Sequence, residues 1–375
     1  MRLAERVVNL AIQIQQIPAP TFAEGSRAEF VRGLFEGEGL SDVLVDEVGN
    51  VYGKWKVGSG GAKPLIVSAH LDTVFPIETD LRTRREGEKV FGPGIGDNSL
   101  GVAALFGLLW SLGELRFDFA NAPLSAEGRE IWFVANVGEE GLGDLRGMKA
   151  VVDRFGAEVT GYLVLEGMAL GCVYHRGTGV KRYRVTAKTA GGHSWSDYGK
   201  PSAIHELSKL VAELTALELP KEPRTTMNVG KISGGTSINV IASEAWMELD
   251  LRSEGRESLA ELVSKVEKKI EQASQADVAF EAEVIGARPA GEIPTSHPLI
   301  QLAQECIREQ GLEPAFTIGS TDANIPLSKG YPALVLGITT GGGAHTVNEF
   351  INTSLVEKGM GQVVGFVRGV MGARD

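Results

Sequence analysis

Four short apolar runs constrain this chain more than any other feature. Leu65–Ala69, Ile131–Val137, Tyr162–Leu165 and Ala333–Ile338 are continuous rather than alternating, and rich in β-branched or aromatic residues. Such runs suit strands covered on both faces, as in a sheet wrapped by helices. A helix from about Asn98 to Leu115 separates the first two. The expected fold class is α/β, with a doubly wound, mostly parallel sheet.

The pattern changes between residues 178 and 289. Val180–Lys188 reads as a strand, and Pro201–Leu217 as a helix with Ile204, Leu207, Val211 and Leu214 on one face. Strands follow at Thr225–Ser233 and Ile238–Arg252, then a helix at Ser258–Ala276 and a strand at Val278–Val284. Met247, Leu249 and Leu251 alternate with Glu248, Asp250 and Arg252, so this sheet buries one face only. The order β-α-β-β-α-β is that of a ferredoxin-like α+β module. The expected domains are therefore 1–177 with 290–375, interrupted by an insert at 178–289.

At 375 residues the chain is long enough for two or three domains. Forty-eight acidic residues against 37 basic ones give a net charge of −11, which disfavours nucleic acid and anionic membranes as partners. The richest apolar stretch, Ala103–Leu112, is about half a membrane span and reads as a buried helix. Arg2, Glu5 and Arg6 among Leu3, Val7 and Leu10 mark an amphipathic helix rather than a signal peptide. Cys172 and Cys306 cannot make a disulfide framework, though one bridge stays open. The expected location is cytoplasmic.

The chemistry collects after the strands. Leu65–Ala69 runs into His70-Leu71-Asp72, Ile131–Val137 into Gly138-Glu139-Glu140, and Tyr162–Leu165 into Glu166; three glycines and His345 follow Ala333–Ile338. Open parallel sheets bind ligands outside these carboxyl ends. Asp97 joins them from the loop Gly92-Pro-Gly-Ile-Gly-Asp-Asn. Histidine and carboxylate without thiolate suit Zn²⁺ or Mn²⁺, and this many ligands fit two ions sharing a carboxylate. Asp72 is placed to fix the His70 tautomer. One of Glu139 and Glu140 is then a ligand and the other a general base. Taken singly, each residue has an ordinary explanation: a helix cap for Asp72, a solvated surface for the glutamate pair. The Gly92–Gly96 run also resembles a nucleotide-binding loop, but Asp97 stands where its third glycine belongs. His175, His205 and His297 are assigned to packing or surface.

Ser68-Ala-His-Leu-Asp-Thr-Val, Gly94-Ile-Gly-Asp-Asn, Gly138-Glu-Glu-Gly and Ala344-His345, in this order, resemble the co-catalytic zinc peptidases and deacylases. That family includes aminoacylase, peptidase T, glutamate carboxypeptidases and succinyl-diaminopimelate desuccinylase. The resemblance implies two Zn²⁺ per subunit, with Co²⁺ or Mn²⁺ as substitutes. It places His70 and Glu166 on one ion, Glu140 and His345 on the other, and Asp97 between them. Glu139 becomes the general base and Asp72 the residue orienting His70. The insert becomes a lid and dimerisation domain, giving a homodimer. His193, in Gly191-Gly-His-Ser, is implied to reach the partner subunit's active site, and Asn239 with Arg288 to hold a substrate carboxylate. Gly319-Ser-Thr-Asp322 resembles a substrate-facing loop, while Arg252 reads equally as a structural ion pair.

The implied activity is hydrolysis of amide bonds in small peptides or N-acyl amino acids by metal-activated water. The metals and His193 would stabilise the oxyanion, and Glu139 would carry the proton to the leaving amine. The rival readings are a non-catalytic metal-binding descendant of the fold and a nucleotide-dependent enzyme built on the glycine loop.

Overall fold

The four apolar runs lie side by side as parallel strands: Arg129–Asn136, Leu65–His70, Gly161–Glu166 and Ala333–Gly337, in that spatial order. Their register aligns the carboxyl ends, with His70 opposite Asn136 and Gly337 opposite Glu166. This computed structural model describes residues 2–57, 61, 63–121 and 129–372. Every residue of Leu65–His70 and Ala333–Gly337 is buried, so helices and loops cover both sheet faces. Antiparallel strands Val51–Val57 and Ser41–Val45 extend one side, and Cys172–Gly177 the other. The core is therefore mixed α/β with a mostly parallel centre.

The helix Leu100–Asn121 packs on Leu65–His70 and Gly161–Glu166, and helices Leu3–Gln15 and Val356–Val370 pack on it. By length and composition alone, Ile95–Gly113 would pass for a membrane span, which the sequence reading did not anticipate. Here it is a core helix: 83% of that apolar window is buried. A small antiparallel sheet, Gly341–Gly342, Phe350–Asn352, Lys89–Phe91 and Arg84–Glu86, brings two further loops into play. His345 lies between its first two strands, and the Asp97 loop leaves its third.

By its contacts the chain divides into two units, Met1–Arg176 with Glu292–Asp375, and Gly177–Gly291. The second unit has its own antiparallel sheet, in the order Thr225–Gly234, Glu244–Ser253, Gly179–Thr189, Val278–Arg288. Helices Ala203–Thr215 and Arg256–Ala273 bury Leu207, Leu210, Leu214, Leu262, Val266 and Ile270 against Tyr183, Val185, Met247, Leu249 and Leu251. One expected strand, Ile238–Arg252, divides in two. Its neighbour ends at Thr189, so the ladder stops at the pair Glu244 and Lys188. Val240–Ile241 pairs instead with Gly192–His193.

Candidate metal centre

Asp97 holds the middle of a cluster in the first unit. Its Oδ1 lies 3.1 Å from His70 Nε2 and its Oδ2 lies 3.2 Å from His345 Nε2. Glu166 Oε2 is 3.8 Å from His70 Nε2, and Glu140 Oε1 is 3.3 Å from His345 Nε2. Two triads result, His70-Asp97-Glu166 and Asp97-Glu140-His345, and each could hold a metal ion. They share one carboxylate. His70 and Glu166 end their strands, whereas His345 arrives from the hairpin loop, seven residues or more beyond its strand, with a left-handed φ of 63°.

Backbone clamps hold these ligands. His70 Nδ1 sits 3.0 Å from the Asp72 carbonyl oxygen and 3.5 Å from the Asp72 carboxylate, which leaves Nε2 facing the cluster. The carbonyl, rather than the expected side chain, is the nearer partner. The Asp72 carboxylate instead accepts the N–H groups of Glu139 and Glu140, each at 2.9 Å, and the Thr21 hydroxyl at 2.9 Å. Asn98 is fully buried and grips the Glu166 corner from both sides, donating to Leu165 O and accepting from Gly167 N. Glu349 accepts the N–H groups of Gly94, Gly96 and Asp97. Sequence reasoning assigned no task to Thr21, Asn98 or Glu349. The available signals were adjacency to Asp97 for Asn98 and the spacing of four from His345 for Glu349.

The charges are mutually dependent. Burial opposes a charge on His70, yet its bonds to Asp72 and Asp97 and the nearby Glu166 and Glu139 hold its pKa well above the usual value. His345 is raised to about 10 by hydrogen bonds to Asp97 and Glu140, against burial. Burial would raise the Asp97 carboxyl, but its bonds to His345 and His70 hold it far below the ordinary range. Glu166 is pushed well up, by burial first; His70 opposes this, and Asp97, Glu139 and Asp322 add to it. Acidic groups this crowded want cations, and two protonated imidazoles play that part in a metal-free site. The donor set of nitrogen and carboxylate oxygen fits Zn²⁺ or Mn²⁺.

The glycine loop cannot cradle a phosphate. The amides a phosphate would need are already occupied by the Glu349 carboxylate, which removes the nucleotide reading. Asp322 is buried and accepts the Asn136 amide at 2.7 Å, so it braces a strand end. Arg252 pairs with Asp250 at 2.7 Å. His175 hydrogen-bonds Ile293 O, His297 caps the helix Pro298–Glu309, and His205 is exposed.

In the second unit, His193 is exposed at the end of the short strand Gly192–His193, and its Nδ1 accepts from Trp195 N at 3.2 Å and Ser196 N at 3.4 Å in the turn that follows. In the neutral ring that leaves the proton on Nε2. Asn239 is its neighbour: Asn239 O accepts Ser194 N–H at 3.0 Å. Arg288 is buried and pairs with Val180 at the opposite end of the Gly179–Thr189 strand. The structure brings His193 and Asn239 together and leaves Arg288 apart.

Among families of known proteins, the profile of the peptidase dimerisation domain matches residues 177–278, and that of peptidase family M28 matches residues 50–172. A succinyl-diaminopimelate desuccinylase from Corynebacterium glutamicum is 26% identical, covering 91% of this chain and 90% of its own. The chain is related to the M20 peptidases and deacylases. This M20 relative is accordingly a hydrolase of the peptidase or deacylase type. Solved structures share its fold. A tripeptidase from Staphylococcus aureus superposes with TM-score 0.80 at 22% identity, covering 98% of each chain. A dinuclear metal-binding M20 peptidase from Bacillus subtilis gives 0.70 at 16%, covering 99% of each.

Proposed function

We propose that the chain is a dinuclear zinc hydrolase that cleaves amide bonds in small peptides or N-acyl amino acids. One observation carries this: Asp97 divides its two oxygens between two ligand triads, with Glu139 beside them. His70 and Glu166 would hold one ion, Glu140 and His345 the other, and Asp97 both. Zn²⁺ is the expected occupant, with Co²⁺ or Mn²⁺ as substitutes. Bound there, the ions would supply Lewis acidity and lower the pKa of water towards neutrality.

The chain supplies the rest. Glu139 takes the proton of the attacking water on its carboxylate and delivers it to the departing amine. Asp72 fixes where Glu139 starts, through the Glu139 N–H. His193, with its proton on Nε2, donates to the developing oxyanion. Asn239 and Arg288 hold the substrate carboxylate.

Those last assignments need two chains. Arg288 pairs with Val180, while His193 and Asn239 lie beyond Thr189. Nine residues of strand span about 30 Å, more than a dipeptide reaches. If both ends serve one substrate, they come from different subunits, which supports a homodimer formed through residues 178–289. Trp195 and Tyr198, about 87% and 91% exposed beside His193, suit burial on pairing. Cys172 and Cys306 are not joined in a disulfide, and the cytoplasm is kept as the proposed location.

The test is a panel of dipeptides, tripeptides and N-acyl amino acids offered to the zinc-loaded protein, with a chelated control. Hydrolysis of at least one class, lost with the metal and restored by it, is expected. No amide hydrolysis across the panel by protein carrying two zinc ions would overturn the reading.

A further inference from the structure

Glu349 is fully buried, four residues after His345, and stands outside both triads. Its carbonyl accepts Gly92 N–H at 2.9 Å, extending the ladder between Phe350–Asn352 and Lys89–Phe91. Its carboxylate turns into the next loop. Oε2 accepts Gly94 N–H at 3.1 Å, and Oε1 accepts Gly96 N–H at 2.7 Å and Asp97 N–H at 2.8 Å. The remaining donors are accounted for: Pro93 has none, and Ile95 N–H returns to Gly92 O at 3.1 Å. The loop is a nest of amides wrapped on one buried carboxyl group, which burial and the nearby Asp97 charge push up to about 7 against the three amide bonds.

Glycine suits Gly94 by its backbone angle and Gly96 by the closeness of its neighbours. Gly94 has φ of 72°, and a Cβ there would meet Thr73 Cγ2 at 2.8 Å. A Cβ at Gly96 would meet the Met168 side chain at 2.9 Å. Ile95 anchors the loop in the core, Gln15 donates to Pro93 O at 3.0 Å, and Asn98 holds its far side, but Glu349 is what meets the Asp97 N–H itself. The loop delivers Asp97, whose two oxygens lie 3.1 Å and 3.2 Å from two different histidines.

We infer that Glu349 is the positioning residue for Asp97, setting the span between the two metal sites by gripping the backbone of the shared ligand. It also ties the His345 loop to the Asp97 loop, since both leave the same pair of strands. The inference rests on the dinuclear reading above. Glu349 touches neither metal nor substrate and acts through Asp97.

The experiment measures zinc binding by calorimetry, Co²⁺ absorption, and amide hydrogen exchange in the wild type and Glu349→Gln. Glutamine keeps the volume and one acceptor oxygen but turns an NH₂ group onto an N–H donor. Expected in the variant are an apparent affinity for the second zinc lowered about 10–100-fold, an altered Co²⁺ spectrum, and faster exchange at Gly94, Gly96 and Asp97. A merely structural role would lower the melting temperature without moving the Co²⁺ spectrum of the folded protein. The metal-free wild type carries its own readout, independent of whether the variant folds: these three amides exchange slowly. Random-coil exchange there overturns the inference. So does a variant that binds two zinc ions with wild-type affinity. A wild-type chain that never takes a second zinc overturns the dinuclear reading instead, and this inference with it.

Discussion

The Asp72 carboxylate accepts the Glu139 N–H at 2.9 Å, so the proposed base hangs from the same turn that orients His70. Asp72 is fully buried, and its other oxygen serves Glu140 and Thr21. One carboxylate thereby sets the spacing between a ligand, a second ligand and the base.

Asp72→Asn should damage activity and stability together. An asparagine has one acceptor oxygen, so its NH₂ group must face an N–H of Glu139 or Glu140. A buried donor left without a partner costs about 1–3 kcal/mol. Displaced ligands cost about 10–100-fold in metal affinity or activity. Urea unfolding and kcat on a substrate from the panel check both.

Glu139→Gln should separate chemistry from binding. It removes the proton acceptor and no proposed ligand, so both metals and the fold stay. General bases contribute about 10²–10⁴-fold, and kcat should fall by that much with zinc content unchanged. A near-wild-type kcat would move the role elsewhere.

Loading the metal-free protein at pH 7 should release protons, because metal ligands must be deprotonated and His345 is held at about 10. Its pKa is raised on folding, so in the metal-free protein it contributes stability that is fully present below 6.5 and lost as pH rises through about 10. His70 acts in the same direction. Asp97 is depressed, so its contribution is lost as pH falls below the ordinary carboxylate range. Melting temperature without metal should therefore fall from pH 6.5 to 10, and zinc should abolish that fall. On the acid side activity should be lost as the ligands protonate and release metal. Calorimetry in buffers of different ionisation enthalpy counts the protons; none released at pH 7 would contradict the charge balance described.

Mixing inactive Glu139→Gln with inactive His193→Ala should restore activity once subunits exchange. A heterodimer then has one site with both groups intact, and the yield approaches half of wild type per heterodimer. Exchange confirmed by mass without returning activity would confine His193 to its own subunit or remove it from the chemistry.

The sequence made the scaffold legible because strand burial is written in composition. Leu65–Ala69 and Ala333–Ile338 are continuous apolar runs, and both became buried central strands. Strand ends then located His70 and Glu166 directly. Ile238–Arg252 misled because Ile238, Val240 and Ile241 are apolar yet project from the sheet; Ile238 is wholly exposed. The clamps were harder to read. Asn98 and Glu349 hold backbone groups 67 and 252 or more residues away in sequence, and no local periodicity reports such a contact. His345 was also read from the end of its strand, Ala333–Ile338, although the hairpin between Gly341–Gly342 and Phe350–Asn352 is what carries it.

The most direct test is anomalous diffraction at the zinc edge from crystals of the zinc-loaded protein. Two peaks should appear roughly 3.5–4 Å apart, with one Asp97 oxygen on each, His70 and Glu166 on the first, and Glu140 and His345 on the second. A single peak, or two peaks with Asp97 on only one, would contradict the shared-carboxylate centre.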